Sequence, residues 1–323
     1  MSRYLVILPL LFICAACGTK TKTDSITSSQ WELFHYLPSN TEYVFYADLS
    51  EIRKAKNGKE NFLTSLPEKP SNAWLKKFEK ETGTGINKGI KEVVIANTPD
   101  DEAILLVRFD RNYERVKSYF KNSPDFKSTD KSGVFSITNK PEARVHFPGK
   151  NIMVVSSKEG YTISGQGLKG PTLRGNEKFI SIIKNIKEKH SLWMATDKGS
   201  FAAGIFDRVA GKDSKLLSPE ILSSINDFTI SAEFGRGTEI ESVLGCSSAG
   251  NAYLLASAVK GAIAMNILSQ KNYKLGQILD KMDVNREGNL IRFNLKLTGD
   301  ELDDIQQLTK LEKPGKKSKG KLW

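Results

Sequence analysis

The residues of this chain that could do chemistry are few, and their spacings decide which reactions are open to it. Cys14 and Cys17 form a Cys-x-x-Cys pair, the spacing of zinc and redox sites. No second pair occurs, and the pair sits in an apolar N-terminal run, so neither use is expected. His35, His146 and His190 are the only histidines, and none has another at i+2 to i+4. A metal would need ligands from distant segments, so none is expected. His146 alternates with Val145 and Phe147, which places it on the polar face of a strand. Ser-x-x-Lys, a nucleophile-and-base spacing, occurs at Ser118/Lys121, Ser128/Lys131, Ser181/Lys184, Ser257/Lys260 and Ser318/Lys321. No Lys-Thr-Gly element accompanies them, and in a chain this rich in serine and lysine chance accounts for the matches.

The loop Gly83-Thr-Gly85-Ile-Asn-Lys-Gly89 has the look of a phosphate cradle. It follows a helix instead of opening one, so it reads as a helix C-cap and turn. Cys246 ends an apolar strand with no base placed beside it, and reads as a small buried hydrophobe. Asp48 stands between a strand and a helix, where capping is its expected use. No catalytic set and no cofactor site emerges, so a non-enzymatic role is expected.

Charge narrows the partners. Lys+Arg is 48 and Asp+Glu is 37, a net of +11 in 323 residues. Lysines supply most of the cations, and specific base reading leans on arginine, so nucleic acid is not an expected partner. Hydrophobic residues at 39% exclude a wholly disordered chain.

The N-terminus reads MSRYLVILPLLFICAACGTK. Arg3 precedes an apolar run, Leu5 to Ile13, too short to span a bilayer as a permanent helix. Small residues Ala15 and Ala16 then precede Cys17. This segment resembles a bacterial lipoprotein signal, with residues 1–16 removed; Cys14, where such signals prefer leucine, is a departure. The resemblance implies that Cys17 carries a diacylglycerol thioether and an amide-linked acyl chain such as palmitate. Two or more chains anchor stably where one does not. The lipid bilayer is then one partner. Gly18 after the cysteine leans toward the outer membrane over the inner. Residues 17–30, rich in Ser and Thr, read as a flexible tether.

Alternating patterns mark strands at 43–47, 92–96, 103–109, 134–138, 143–147 and 151–156, then at 192–196, 226–234, 239–246, 282–285 and 290–297. Helical spacing marks 51–81 with an interruption, 112–121, 176–189, 201–210 and 250–269. Ala252 to Leu268 reads as a buried core helix. The order predicts an α+β fold: mostly antiparallel sheets with helices packed on one face, in two tandem β-α-β-β-α-β-β repeats about 150 residues apart. The expected domains are 31–165 and 170–309, joined by a glycine-rich linker within 157–176. Six lysines within residues 310–323 predict a disordered basic tail.

The opening Leu37-Pro-Ser-Asn-Thr-Glu-Tyr-Val-Phe-Tyr-Ala-Asp-Leu resembles that of DUF3352-like secreted bacterial proteins, which also begin on a Pro-led strand ending in an acidic residue. Such proteins lend no catalytic residues. The chain therefore reads as a membrane-anchored cell-envelope lipoprotein with a non-catalytic binding role and an envelope protein as partner. The alternative is a carrier or sensor of an apolar small ligand held between sheet and helix.

Overall fold

The structure is a computed structural model that describes residues 26–55, 73–129, 133–158, 161, 163–164, 167–187, 190–202, 219–268, 273–302 and 304. Cys14, Cys17, the signal segment, most of the 201–210 helix and the basic tail lie outside them. Helix α1 (Ser28–Phe34) begins where a sequence signal places it. The Thr27 hydroxyl accepts from the Gln30 backbone, and the Gln30 side chain accepts from the Thr27 N–H at 3.0 Å. This capping box, together with buried Ile26, puts 26–30 in the folded body and ends the tether before them.

Strand β1 (Tyr43–Asp48) leads into α2 (Leu49–Lys54), which Asp48 caps as expected by accepting from the Ser50 and Glu51 N–H groups. Helix α3 (Ala73–Thr82), the hairpin β2 (Ile90–Asn97) and β3 (Ala103–Phe109), and α4 (Tyr113–Asn122) come after it. Next are β4 (Phe126–Ser128), β5 (Val134–Ile137), β6 (Lys140–Gly149) and β7 (Ile152–Ser156). Left-handed Gly149, Lys150 and Asn151 make the tight β6–β7 turn, Gly149 at φ 104°. A small pair, β8 (Ile163–Ser164) and β9 (Gly167–Leu168), and a 3₁₀ turn at Leu173–Gly175 fill the segment that reads as a linker. It is not free: Tyr161 and Leu173 are buried, and the Leu173 N–H donates to Leu37 O at 2.8 Å.

The second half runs α5 (Glu177–Ile183), β10 (Leu192–Thr196), α6 (Pro219–Ser223), β11 (Ile225–Phe234), β12 (Thr238–Cys246), α7 (Ala249–Leu268), α8 (Tyr273–Asp280), β13 (Asp283–Glu287) and β14 (Leu290–Leu297). Twelve strands form one antiparallel sheet, ordered β13-β14-β12-β11-β10-β1-β2-β3-β7-β6-β5-β4. The halves meet at the β1–β10 pair, with Phe45 opposite Met194. Outward from that seam the order is β1-β2-β3-β7-β6 on one side and β10-β11-β12-β14-β13 on the other. Each side thus repeats the same sequence of elements, with β4 and β5 added at the first edge.

Alternation along the strands sorts side chains between two faces. On one face Val44, Tyr46, Val94, Leu106, Val154 and Trp193 pack under α1 and α5 through Leu33, Phe34, Phe179 and Ile183. The opposite face carries two covers. One joins Phe78 of α3 and Val116 and Phe120 of α4 to Val107, Val145 and Met153. The other joins Leu255 and Ala256 of α7 to Ile230, Ile240, Leu244, Ile291 and Leu295. The α+β class and antiparallel pairing are as expected. Helices cover one face at the β11–β14 wing and both faces at the centre, because the β1–β3, β7 and β10 strands are apolar on both sides. At the wing the open face is polar: Lys187 reaches Glu239 and Glu241 at 3.2 Å each, and Arg292 reaches Glu241 at 3.5 Å. Among the described residues no helix is long and apolar enough to cross a membrane.

Candidate interaction surface

The residues singled out in the sequence do not converge. His35 follows α1 beside Arg174; burial first, then the Arg174 charge, lowers its pKa. His146 is buried, not on a polar strand face, because it points away from Val145 and Phe147 to the side that Tyr161 and β8 lie across; its ring meets Tyr161 edge-on at 6.3 Å. The His190 Nδ1 lies 2.6 Å from the Ser231 hydroxyl, far along the sheet. Among the described residues no group of three or more His, Cys, Asp or Glu is placed to hold a metal. Cys246 is fully buried, and burial, then Asp227, pushes its thiol up to about 11, away from nucleophilic use. The Ser181 hydroxyl donates to Lys178 O, and Ser118 accepts from the Asn122 amide, so neither is tied to its spaced lysine. Gly83, left-handed at φ 70°, ends α3, and Gly85 and Lys88 exchange backbone hydrogen bonds at 2.7 and 3.0 Å, a turn closed on itself.

A buried polar cluster that the sequence did not signal lies beneath α1. Glu92 and Arg108 face each other across β2 and β3. Arg108 Nε lies 3.0 Å from Glu92, and its terminal nitrogens reach Glu32 at 3.1 Å and the Ser29 hydroxyl at 2.9 Å. Glu92, 1% exposed, also accepts from the Tyr46 and Ser29 hydroxyls at 2.8 Å. Lys150 closes the outer end on Glu32 at 2.8 Å, and this bond is the leading cause of Glu32's lowered pKa. Every strong acceptor is answered, and the cluster fastens α1 to the sheet.

The outward face of α7 is different. Expected to be a core helix, it buries Ala252, Leu255 and Ala256, with Val259 and Ile263 packed beside them. Tyr253, Leu254 and Met265 stand 61%, 50% and 61% exposed, with Ser257, Lys260, Gly261 and Ala264 completing the face. A side chain at Gly261 would meet nothing. Apolar residues on both sides of a helix ordinarily mean burial on both sides. The repeat supplies an internal comparison. Helix α4 follows β3 as α7 follows β12, each strand third from the seam. Yet α4 turns Glu114, Arg115, Ser118, Lys121 and Asn122 outward. One position in the fold thus carries a charged surface in the first half and an apolar one in the second.

These features define an open antiparallel sheet, doubled about a central strand pair, covered by three helical layers and carrying an exposed apolar helix face. No family model matches the chain, and no curated protein matches its sequence. In fold the chain is similar to TP0453 in its crystal form III, with a TM-score of 0.50 at 11% identity, over 85% of this chain and 97% of that one. Crystal form IV of TP0453 superposes with a TM-score of 0.43 at the same identity, over 96% of its chain. At this identity the likeness is one of fold.

Proposed function

We propose that this is a membrane-tethered, non-catalytic lipoprotein that binds another protein of the bacterial envelope through the outward face of α7. The observation that carries the reading is the contrast between α7 and α4: at equivalent places in one sheet, only α7 turns tyrosine, leucine and methionine to water. Exposed apolar surface of this kind is where protein partners bind. Small residues Ser257, Gly261 and Ala264 between Leu254 and Met265 let an apolar partner segment approach closely. The acylated Cys17, with its Ser/Thr-rich tether, keeps the body at a membrane, and Gly18 favours the outer one. A ligand enclosed under α7 is less favoured, because Leu255, Ala256, Val259 and Ile263 fill that space against the sheet.

The test is crosslinking of the acylated protein in its own cells, with co-purified proteins identified by mass spectrometry. Cys17→Ser and the double variant Leu254→Glu/Met265→Glu serve as comparisons. One reproducible partner, lost in both, is expected. A partner retained by the α7 variant would remove α7 as its binding face, and membrane retention of Cys17→Ser would remove the anchor.

A further inference from the structure

A second surface lies at the other end of the same sheet face. Helices α3 and α4 pack through Phe78, Tyr119 and Phe120, with Phe78 and Tyr119 rings edge-on at 5.3 Å. Beside that contact runs a groove of about 270 Å³, lined by Lys77, Glu81, Arg115, Ser118, Tyr119 and Asn122, and closed by the Ser123–Pro124 turn. Its hydrogen-bonding capacity is unbalanced. Arg115 donates through Nε to the Glu81 carbonyl at 2.8 Å, leaving its two terminal nitrogens for another acceptor. Lys77 makes no ion pair among the described residues, although Glu81 stands one turn along on the same helix. Asn122 donates to the Ser118 oxygen, which frees the Ser118 proton to be donated elsewhere. At the groove wall Tyr119 is 6% exposed, and its hydroxyl is buried with no hydrogen-bond partner. Donors here outnumber acceptors, and two of the three charges are positive.

We infer that this groove between α3 and α4 is a binding site for a small ligand bearing an oxyanion, a carboxylate or a phosphate group. The terminal nitrogens of Arg115 form the fork that takes two oxygens of such a group. Lys77 adds a point charge from the facing helix, and Ser118 adds a neutral donor. The volume lies just under the range of drug-sized pockets, so one anionic headgroup with a short attached body fits and a folded partner does not. The inference is independent of α7, since the groove lies between the two helices of the other cover.

The experiment is calorimetric titration of the full acylated chain in detergent micelles with inorganic phosphate and, separately, with acetate, at constant ionic strength. Saturable binding at one site is expected for at least one probe. Phosphate alone would indicate a tetrahedral phosphate ligand, and acetate alone a planar carboxylate. Arg115→Gln should weaken the bound probe roughly tenfold or more, the usual loss for a charge-assisted pair. Lys77→Gln, which removes no described contact, should weaken it several-fold without altering the thermal unfolding curve. Lys127→Gln, an exposed lysine outside the groove, should change nothing. No saturable heat with either probe, or an equal loss with Lys127→Gln, would overturn the assignment.

Discussion

Arg108→Gln should be among the most damaging single changes to a polar residue of this protein. The Arg108 side chain is 12% exposed and that of Glu92 1% exposed, and their contact at 3.0 Å supplies the cation closest to that carboxylate. Removing it leaves Glu92 with hydroxyl donors from Tyr46 and Ser29 but no opposite charge. Breaking a buried ion pair from one side costs about 3–5 kcal/mol, most of it the stranded charge. The same change frees Glu32 and Ser29 and so loosens α1. At about 2 °C per kcal/mol for a body of this size, the melting temperature should fall by about 6–10 °C. Urea titration measures the free-energy loss and a thermal scan the melting temperature, both by tryptophan fluorescence, because Trp193 stacks on Tyr46 at 5.2 Å and reports the cluster directly. A cycle with Glu92→Gln separates stranded charge from lost packing. The double variant should be more stable than the sum of the singles by about 1–3 kcal/mol, since neither charge is then left alone. A loss under about 1 kcal/mol for Arg108→Gln, or simple additivity in the cycle, would refute the reasoning.

Other outcomes rest on the same geometry. Glu32 has a depressed pKa, so its bonds to Lys150 and Arg108 add stability above the ordinary carboxylate range, and that stability is lost as pH falls through the depressed value. Glu32→Gln should accordingly flatten the fall in stability on acidification, as read by circular dichroism melts from neutral to acid pH. Gly199→Ala would put a methyl group 1.5 Å from the Ile225 carbonyl oxygen, backbone against backbone, and should cost about 1–3 kcal/mol or more in denaturant titrations. The Cys246 thiol, pushed up to about 11 and enclosed, should be silent to Ellman's reagent at pH 8 and appear as one additional thiol on unfolding in guanidinium. Leu254→Glu should shift unfolding by no more than about 0.5 kcal/mol, because half of that side chain is already in water.

Most strands are legible in the sequence because each half-buried strand carries its period of two. Leu290–Leu297 alternates cleanly, and β3 and β10 are bounded by turn residues on both sides. The doubled order of elements is legible for the same reason. Hidden from the sequence are features that depend on pairing between distant segments. The seam joins Tyr43 to Thr196, and no local pattern announces which strands meet. Glu92 and Arg108 look like ordinary outward charges on β2 and β3 until α1 is laid over them. Helix α1 escapes notice although Thr27 and Gln30 spell its capping box, because its polar surroundings read as tether. Helix α8 and strand β4 escape notice because each is short, eight and three residues. The exposed face of α7 is concealed for a physical reason: a helix with apolar residues on both sides looks buried from sequence, and only the layer order shows that Tyr253, Leu254 and Met265 stay exposed.

The β1–β10 seam also sets a rule for how the protein is made. Val44 and Tyr46 lie in the middle of the sheet, yet the partner edge of β1 arrives only when the chain has been extended to Thr196. Until then the first half holds an apolar strand open along one side, ready to pair with whatever strand it meets first. Because both halves present edges of the same kind at the seam, the first half of one copy could close on the second half of another and give an exchanged dimer. Synthesis and delivery of the chain must therefore outpace, or shield, that interval. A truncation ending near Ser156 would lengthen it indefinitely, leaving a half-sheet prone to self-association in place of a small independent domain.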